Sequence, residues 1–378
     1  MKKSSLKVIK KSNKNMLLKL IHDSEYTSRA ELKRITRLAP TTVSTLVDEL
    51  IESGLVRETG ILDTGKIGRK AVSIEINPSG RYFAGVEIGN EKIIIDIYDL
   101  RFNNVFSRES ETGTYKEILD FIISSLKAFY EEHGIKIYSV VIGVSGIVDS
   151  HKNKILLSTV MDIADENFVC DIKKEFPKMD VILQNTSALI AYAEKEKRDV
   201  LDLVSVDIGK GVGSGIIIGG EIYTGAGGTA GEFGHVSIDM NGEVCKCGNR
   251  GCTEIYTNTD TIRKRAAKIL GEDKVSLKRI YDEATKGNEQ IINLIEEITQ
   301  ILSFAFVGLI NMLDPESIVI SGKIKELSEV FLNPLKKAVL EKCSMRQTVL
   351  EYSSIEGNAI TLGGAEYAFE KMINKDII

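Results

Sequence analysis

Residues 207–254 read DIGKGVGSGIIIGGEIYTGAGGTAGEFGHVSIDMNGEVCKCGNRGCTE, and this stretch holds three of the five cysteines of the 378-residue chain. The three thiols follow one another closely, and Gly248 and Gly251 between them permit tight turns. Reduced thiols at such spacing are more typical of metal sites than of disulfides. Three thiolates and one imidazole predict a closed tetrahedral zinc site, which is structural because no coordination position is left for water. The candidate ligands are His235, Cys245, Cys247 and Cys252.

The sequence on either side of this stretch alternates between strand-like and helix-like segments. Strand patterns lie at 81–89, 91–100, 103–110, 138–148, 179–185, 201–209, 212–220 and 316–321. Helical patterns cover 116–132, 259–270, 288–312 and 361–373. Strands that recur with helices between them indicate an α/β body. We expect two similar halves with a cleft between them.

Three helical patterns open the chain. The first starts near Lys14, and its predicted inward face consists of Met16, Leu17, Leu20 and Ile21. The second begins after Thr27 or Ser28, either of which can cap it, with Glu31 placed for a capping box. The third begins at Pro40, which suits a first helical turn. Its predicted inward residues are Val43, Leu46, Val47, Leu50 and Ile51.

Two alternating strands, 55–61 and 71–78, follow the helices and flank the glycine-rich, basic loop DTGKIGRK at 63–70. Three helices and a two-stranded wing predict a winged helix-turn-helix. Small hydroxyl side chains at the start of the third helix can approach base edges in a major groove, and basic wing residues can reach phosphates or the minor groove. A protein-docking module is the alternative, but the helix order and the basic wing favour DNA. The candidate DNA-contacting residues are Thr41, Thr42, Ser44, Thr45, Lys66, Arg69 and Lys70.

The distribution of charge along the chain changes just after the second of these strands, at residue 80. Residues 1–80 carry a net charge of +6 and residues 81–378 a net charge of −11, within a total of −5. Clustered Lys and Arg bind a phosphate backbone through counterion release whatever the total charge of the protein is. A solvated lysine-rich tail is the plainer interpretation of the charge alone. Pro78, Ser79 and Gly80 mark the predicted joint between the basic head and the acidic body.

Composition restricts the class of protein. With 43% hydrophobic and 27% charged residues, the chain is typical of soluble globular proteins. No window approaches eighteen consecutive apolar residues, which argues against a membrane-spanning helix. The basic start runs into an amphipathic helix instead of a small-residue cleavage site, so no secretory signal is expected. The sequence therefore predicts a cytoplasmic protein without a membrane partner.

The stretch from Asp207 to Glu254 resembles the signature of the ROK family, a group of sugar repressors and sugar kinases. Residues 65–78 resemble the wing of the repressor branch, GVSGIVD at 143–149 resembles its Gly-x-Pro-Gly loop with Ser145 in place of proline, and GGAEYA at 363–368 matches its closing helix. The resemblance implies an N-terminal winged helix-turn-helix (α+β) followed by a two-lobed α/β sugar-kinase-like body of the actin/hexokinase type. The implied domains are the head at 1–78, a first lobe at 79–197, and a second lobe with the zinc site at 198–378, whose last helix packs back toward the first lobe.

The resemblance also implies a sugar site between the lobes, formed by Asn185, Glu232, His235 and Glu254. Carboxylates accept hydrogen bonds from sugar hydroxyls, and an imidazole held by zinc through one nitrogen can bond a hydroxyl through the other. The alternative is that His235 and the two glutamates are ordinary surface residues. Their contexts, AGEFGH and GCTE, favour the site.

Two departures from the kinase members argue against phosphoryl transfer. Kinases of the family have an Asn-Asp pair whose Asp is the general base, and the matching pair here is Asn185-Thr186. A threonine hydroxyl is too weakly basic for that role. Their first phosphate loop matches residues 87–91, EIGNE, where Glu91 places a negative charge beside the phosphates. Ala188 stands where many relatives carry a second Asn, so the ligand is expected to differ from common hexoses, to bind weakly or to be a derivative.

These observations predict a non-enzymatic, zinc-containing repressor of carbohydrate-utilisation genes. Its head binds a palindromic operator, and its body senses xylose, another monosaccharide or a derivative. Two half-sites need two heads, so we expect a homodimer or a dimer of dimers. Two alternatives remain: a sugar kinase that carries a DNA-binding head, and a repressor whose body responds to a partner protein.

Overall fold

The computed structural model describes residues 2–62, 71–150, 152–158, 168–343 and 347–375. Contacts divide the chain into two compact units. Unit 1 comprises Met1–Gly143, Asn167–Ile182 and Gly364–Ile378, and unit 2 comprises Val144–Glu166 and Leu183–Gly363. The head thus shares a unit with the strands that follow it. The division into domains at 1–78, 79–197 and 198–378 remains a prediction.

The head of unit 1 has three helices and a two-stranded antiparallel sheet. These are α1 (Lys2–His22), α2 (Arg29–Thr36), α3 (Pro40–Glu52), β1 (Val56–Leu62) and β2 (Ala71–Ile76). The Ser28 hydroxyl accepts a hydrogen bond from the backbone N–H of Glu31, and Pro40 occupies the first turn of α3 as the sequence predicts. The helix α1 begins at Lys2, a dozen residues earlier than expected. The predicted winged helix-turn-helix is therefore confirmed in its element order.

The inward face of the first helix differs from the prediction. Leu18 is fully buried in the head, whereas Met16 is 38% exposed and Leu20 is half-buried. Apolar residues occupy adjacent positions in MLLKLI at 16–21, so periodicity alone does not determine which face of the helix is buried. The packing of α1 against α3 determines the buried face. The buried apolar residues of the helices of the head are Leu17, Leu18, Ile21, Leu32, Val43, Leu46, Val47 and Leu50.

A five-stranded sheet forms the rest of unit 1 together with helices. Its order is β5-β4-β3-β6-β9, where β3 is Phe83–Ile88, β4 is Lys92–Tyr98, β5 is Asn104–Glu111, β6 is Ser139–Val144 and β9 is Asp180–Asn185. The helices are α4 (Tyr115–His133) and α5 (Phe168–Glu175). A capping box between Thr114 and Glu117 starts α4, and Gly134 ends it with a φ of 67°.

Unit 2 also contains strands and helices. The strands are β7 (Gly146–Asp149), β8 (Lys154–Ser158), β10 (Leu203–Ile208), β11 (Val212–Ile218), β12 (Glu221–Ile222), β13 (Ser317–Ser321) and β14 (Val349–Tyr352). The helices are α6 (Thr186–Arg198), α7 (Thr253–Thr257), α8 (Thr259–Leu270), α9 (Leu277–Thr285), α10 (Glu289–Leu313), α11 (Ser328–Lys342) and α12 (Ala359–Asn374), of which α12 continues into unit 1.

A second five-stranded sheet, in the order β12-β11-β10-β13-β14, forms the centre of unit 2. The central strand β10 pairs antiparallel with β11 and parallel with β13. Gly215 in β11 allows close approach of α6, since a Cβ there would collide with the carbonyl of Ser187.

The long helix α10 carries much of the core of unit 2. Ile295, Ile298, Leu302 and Phe306 on its inner face pack in one hydrophobic cluster with residues of the sheet. By length and apolar composition α10 is the one helix of the described chain that could cross a membrane, and half of its most apolar window is buried in the protein. A core helix meets the same criteria because its inner face must be apolar.

Candidate functional site

The four candidate metal ligands come together in unit 2. The ligand atoms of His235, Cys245, Cys247 and Cys252 all lie within 4.8 Å of one another. The Nδ1 atom of His235 is 3.7 Å from Sγ of Cys245, and Sγ of Cys247 is 3.6 Å from Sγ of Cys252. A tetrahedral zinc ion with Zn–S bonds of about 2.3 Å separates its ligand atoms by about 3.5–3.8 Å. The donor set and its spacing therefore fit zinc.

Short backbone contacts hold these ligands in place. His235 ends a 3₁₀ turn at Phe233–His235, and Cys252 precedes the first residue of α7. An isolated β-bridge pairs Ser237 with Cys252, which ties the two ligand segments together. Gly251 has a φ of +64°, and a Cβ there would collide with the carbonyl of Asp239. Only glycine fits at this position, because any side chain would push the bridge apart.

The thiols differ in acidity. Burial raises the pKa of the Cys252 thiol to about 12. The backbone N–H of Asn249 lowers the pKa of Cys247 by donating to its sulfur. A metal dication is the partner that holds buried thiols as thiolates, because its charge favours the anionic form.

Two of the predicted sugar-binding carboxylates lie beside this cluster. The Nε2 atom of His235 is 3.8 Å from a carboxylate oxygen of Glu232. Burial raises the pKa of Glu232, the nearby His235 lowers it, and the negative charge of Glu254 raises it further. Glu254 also accepts a hydrogen bond of 2.8 Å from the backbone N–H of Val212. Glu232, His235 and Glu254 thus form one polar group in unit 2.

Asn185, the fourth residue of the predicted sugar site, forms hydrogen bonds within the protein. Its side-chain oxygen accepts from the backbone N–H groups of Ser187 and Ala188, and its amide donates to the carbonyl of Gly146 at 2.7 Å. Asn185 therefore caps α6 and ties it to the start of β7. One amide hydrogen is left for a ligand.

The position of the kinase base is occupied by hydroxyls. Thr186 is 8% exposed, and its Oγ1 lies 3.5 Å from Oγ of Ser145. Sequence reasoning identified each of these departures separately, but only the fold shows that they face each other. Neither hydroxyl can serve as a strong base near neutral pH.

A further polar cavity in unit 2 was not predicted. Its volume is about 380 Å³, and Asp207, Ser321, Lys325 and Asn358 are among the residues that line it. Burial raises the pKa of Asp207, which accepts a 2.8 Å hydrogen bond from Ser321.

The candidate DNA-contacting residues at the start of α3 are at the surface of the head. Thr41 and Thr45 are exposed, and Thr42 and Ser44 are half-exposed. The predicted wing residues Lys66, Arg69 and Lys70 lie outside the described residues. The cap of α3 is Ala39, which supplies no side-chain hydrogen bond, so the first N–H groups of the helix are available to a phosphate.

Comparison with known proteins gives a consistent result. Residues 83–369 match the model of the ROK family. The chain is 29% identical to a putative xylose repressor of Caldicellulosiruptor sp. over 97% of both chains. It is 27% identical to the DNA-binding transcriptional dual regulator NagC of Escherichia coli, over 88% of this chain and 85% of that one.

Solved structures agree on the fold. A ROK family transcriptional regulator, described as a homologue of the E. coli MLC protein, superposes with a TM-score of 0.83 at 25% identity and covers 97% of each chain. A ROK family glucokinase of Streptomyces griseus, solved with glucose and AMPPNP, gives a TM-score of 0.65 at 24% identity and covers 76% of this chain and 99% of its own. The kinase lacks a counterpart to about a quarter of the chain, whereas the regulator covers nearly all of it.

Proposed function

The chain belongs to the ROK family, and from this premise we propose that the cluster of Glu232, His235 and Glu254 is the sugar sensor of a transcriptional repressor. The protein is a sugar-responsive, DNA-binding repressor, in keeping with its similarity to xylose and N-acetylglucosamine repressors along most of its length. The effector is a monosaccharide or a derivative of one. A cytoplasmic location follows from this role.

The orientation of His235 is the observation that carries the proposed sensor. Its Nδ1 faces the thiols and its Nε2 faces Glu232. Bound zinc would fix the ring through Nδ1 and leave Nε2–H to donate to a sugar hydroxyl. Glu232 and Glu254 then accept from neighbouring hydroxyls, and Asn185 offers its remaining amide hydrogen. His235, Cys245, Cys247 and Cys252 would together fill the coordination shell of a zinc ion, which would then contribute rigidity and no chemistry.

The protein is proposed not to be an enzyme. Thr186 stands where a kinase of the family needs a carboxylate base, and its hydroxyl faces the hydroxyl of Ser145. The first phosphate loop matches residues 87–91, and Glu91 there carries a charge that opposes phosphate binding. One observation favours the alternative that the protein is a sugar kinase. It is the cavity of about 380 Å³ beside Asp207.

The head is proposed to read an operator with α3. Thr41, Thr42, Ser44 and Thr45 contact bases and phosphates in the major groove, and the wing residues Lys66, Arg69 and Lys70 contact phosphates or the minor groove. A homodimer presents two such heads to a palindrome. Sugar binding changes the spacing or tilt of the two α3 helices, and the coupling free energy is on the order of 1–3 kcal/mol.

Fluorescence anisotropy tests this function. The zinc-loaded protein is titrated onto DNA from upstream of its own gene at fixed salt, and then with a panel of monosaccharides and their phosphates. Selective binding that one sugar releases supports the sensor and identifies its ligand. Selective binding that no sugar disturbs, together with release by a protein extract, would favour a protein partner as effector. Absence of selective binding, with sugar-dependent ATP consumption, would favour the kinase alternative.

A further inference from the structure

The N-terminal helix α1 carries a largely apolar stripe that the described residues leave exposed or half-exposed. Leu6 is 66% exposed, Ile9 is 55% exposed and Met16 is 38% exposed, while Asn13 and Leu20 are half-exposed. Their spacing of three, four, three and four residues places all five on one face of the helix. We propose that this α1 stripe is the surface through which the heads of two copies of the chain pair, with their α1 helices antiparallel.

The opposite side of α1 is already used within the head. Lys14, Leu17, Leu18 and Ile21 are buried there. Lys14 forms a 3.0 Å ion pair with Glu49 of α3. The α1 stripe is therefore a second face of the same helix.

A further contact of α1 also avoids the stripe. The side chain of Asn15 donates a 2.6 Å hydrogen bond to the carbonyl of Ile373 in α12. At about 100° per residue, Asn15 projects well away from Asn13 and Met16. Neither of these two contacts, with α3 or with α12, uses a side chain of the stripe.

The first half of α1 has little packing of its own within the head. None of the side chains from Leu6 to Ser12 is buried, and Lys10 forms an ion pair with Glu49 of α3. A helical segment of this length is marginal in water unless its apolar side packs against something. A second α1 supplies that packing.

The sequence of the stripe favours a second copy as the partner. Alternating steps of three and four residues are the heptad spacing of helices that pair with each other. Asn13 lies at the centre of the stripe, with Leu6 and Ile9 on one side and Met16 and Leu20 on the other. A single Asn in such a seam is satisfied by an Asn of the opposing helix, which fixes the register.

Charge favours the antiparallel orientation. Residues 2–14 include six lysines and no acidic residue, whereas residues 15–25 include Lys19, Asp23 and Glu25. Parallel helices would bring the two lysine-rich halves together, while antiparallel helices place each beside the acidic end of the other. With Asn13 opposite the partner's Asn13, Leu6 meets the partner's Leu20, and Ile9 lies within one residue, about 1.5 Å along the axis, of the level of the partner's Met16.

Cysteine cross-linking tests the pairing without DNA. The zinc-loaded full chain carries Cys170→Ser and Cys343→Ser, so that only the metal ligands remain, and is oxidised with glutathione disulfide. We expect Asn13→Cys to form covalent dimers at least tenfold faster than Val8→Cys, which is 65% exposed on a different face of α1. Equal rates would overturn the pairing.

The same chemistry tests the orientation. Co-expressed Ile9→Cys and Met16→Cys chains should cross-link to each other at least tenfold faster than Ile9→Cys chains cross-link among themselves. Faster cross-linking of Ile9→Cys alone would overturn the antiparallel arrangement, because parallel helices place identical residues together.

The consequence for operator binding rests on the proposed function and needs its own measurement. Ile9→Glu should weaken binding to a palindromic site at least tenfold and leave binding to a single half-site within twofold of the parent. An unchanged affinity for the palindrome would overturn this consequence. If the parent protein binds no operator, the proposed function fails, and the cross-linking experiment still decides the pairing.

Thermal denaturation separates these effects from misfolding. Ile9 lies outside the core of the head, so Ile9→Glu should still unfold cooperatively, and its melting temperature should fall only by the stability that pairing contributes. Val8→Glu is the matched control, because it adds the same charge to the same helix outside the stripe and should leave palindrome binding unchanged.

Discussion

The Nε2 atom of His235 lies 3.8 Å from a carboxylate oxygen of Glu232, on the side of the ring that faces away from the thiol cluster. One imidazole therefore connects the candidate metal site with the candidate sugar site. Loss of the metal should free the ring to rotate, and sugar affinity should fall with it. Replacement of a metal ligand should therefore change stability and sugar response together, whereas replacement of Glu232 should change them separately.

Replacing a metal ligand should reduce both properties together. Cys247→Ser should lower the zinc content measured by atomic absorption, and the melting temperature should fall by roughly 2–3 °C, which corresponds to about 2 kcal/mol for a chain of this size. Release of the operator by sugar should weaken in parallel. Cys170→Ser is the matched control, because Cys170 is an exposed free thiol outside the cluster. Unchanged stability with full zinc content would remove the site.

Replacing Glu232 should separate the two properties. Burial raises the pKa of its carboxyl, so the folded chain keeps the proton to a higher pH than the unfolded chain does. The free energy of unfolding therefore falls as Glu232 ionises. The fall begins near the ordinary pKa of glutamate and is complete once the pH has passed the raised pKa of the folded state. Glu232→Gln should be at least as stable as the parent at pH 7, with the difference vanishing near pH 4, as urea unfolding at several pH values would measure.

The same variant should bind the releasing sugar roughly tenfold to a hundredfold more weakly, since a hydrogen bond to a charged group contributes about 1.5–3 kcal/mol. Glu243→Gln, an exposed carboxylate in the neighbouring loop, is the control. Full sugar response in Glu232→Gln would argue against the sensor.

Arg101 should be required for the attachment of the head within unit 1. Its guanidinium donates hydrogen bonds of 2.9 Å to the carbonyls of His22, Ser24 and Glu25, at the end of α1 and just beyond it. Arg101→Ala should lower the free energy of unfolding by about 2–4 kcal/mol, because these carbonyls lose a charged partner. Arg101→Lys should rescue only part of the loss, since a point charge cannot replace a planar fork.

Differential scanning calorimetry would measure this effect. Lys116→Ala, which removes an exposed cation at the start of α4, serves as the control. A melting curve of Arg101→Ala identical to that of the parent would contradict the assignment.

Changes at the start of α3 should affect DNA binding alone. Thr45 is exposed, so Thr45→Ala should leave the melting temperature unchanged. Loss of a base contact costs about 1–3 kcal/mol, and we expect at least fivefold weaker operator binding with reduced discrimination between sequences. Anisotropy on operator and scrambled DNA would measure both. Equal loss on the two DNAs would indicate a phosphate contact instead of base reading.

Much of the fold could be predicted because local physics dictates it. Pro40 and Ser28 set helix starts through backbone geometry, and seven of the eight strand patterns in the body each match one observed strand. The pattern at 138–148 is instead two strands, β6 and β7, which belong to different sheets, and β8, β12 and β14 were not predicted. The inward face of α1 was wrong at Met16, since apolar residues on several sides of a helix leave the choice of face to its neighbours. The extension of α1 back to Lys2 was missed because the helix carries no buried side chain between Leu6 and Asn13.

The sequence by itself determined the donor set of the metal site, the order of the elements and the absence of a carboxylate at Thr186. These features depend on residue identity and on spacings of a few residues, which local backbone geometry converts directly into structure. Only the tertiary structure decided that Nε2 of His235 faces Glu232, that Thr186 faces Ser145, and that Arg101 caps α1 from 76 or more residues away. Such contacts follow from packing between distant segments, where many arrangements satisfy the same hydrophobic pattern and only one satisfies all the buried polar groups.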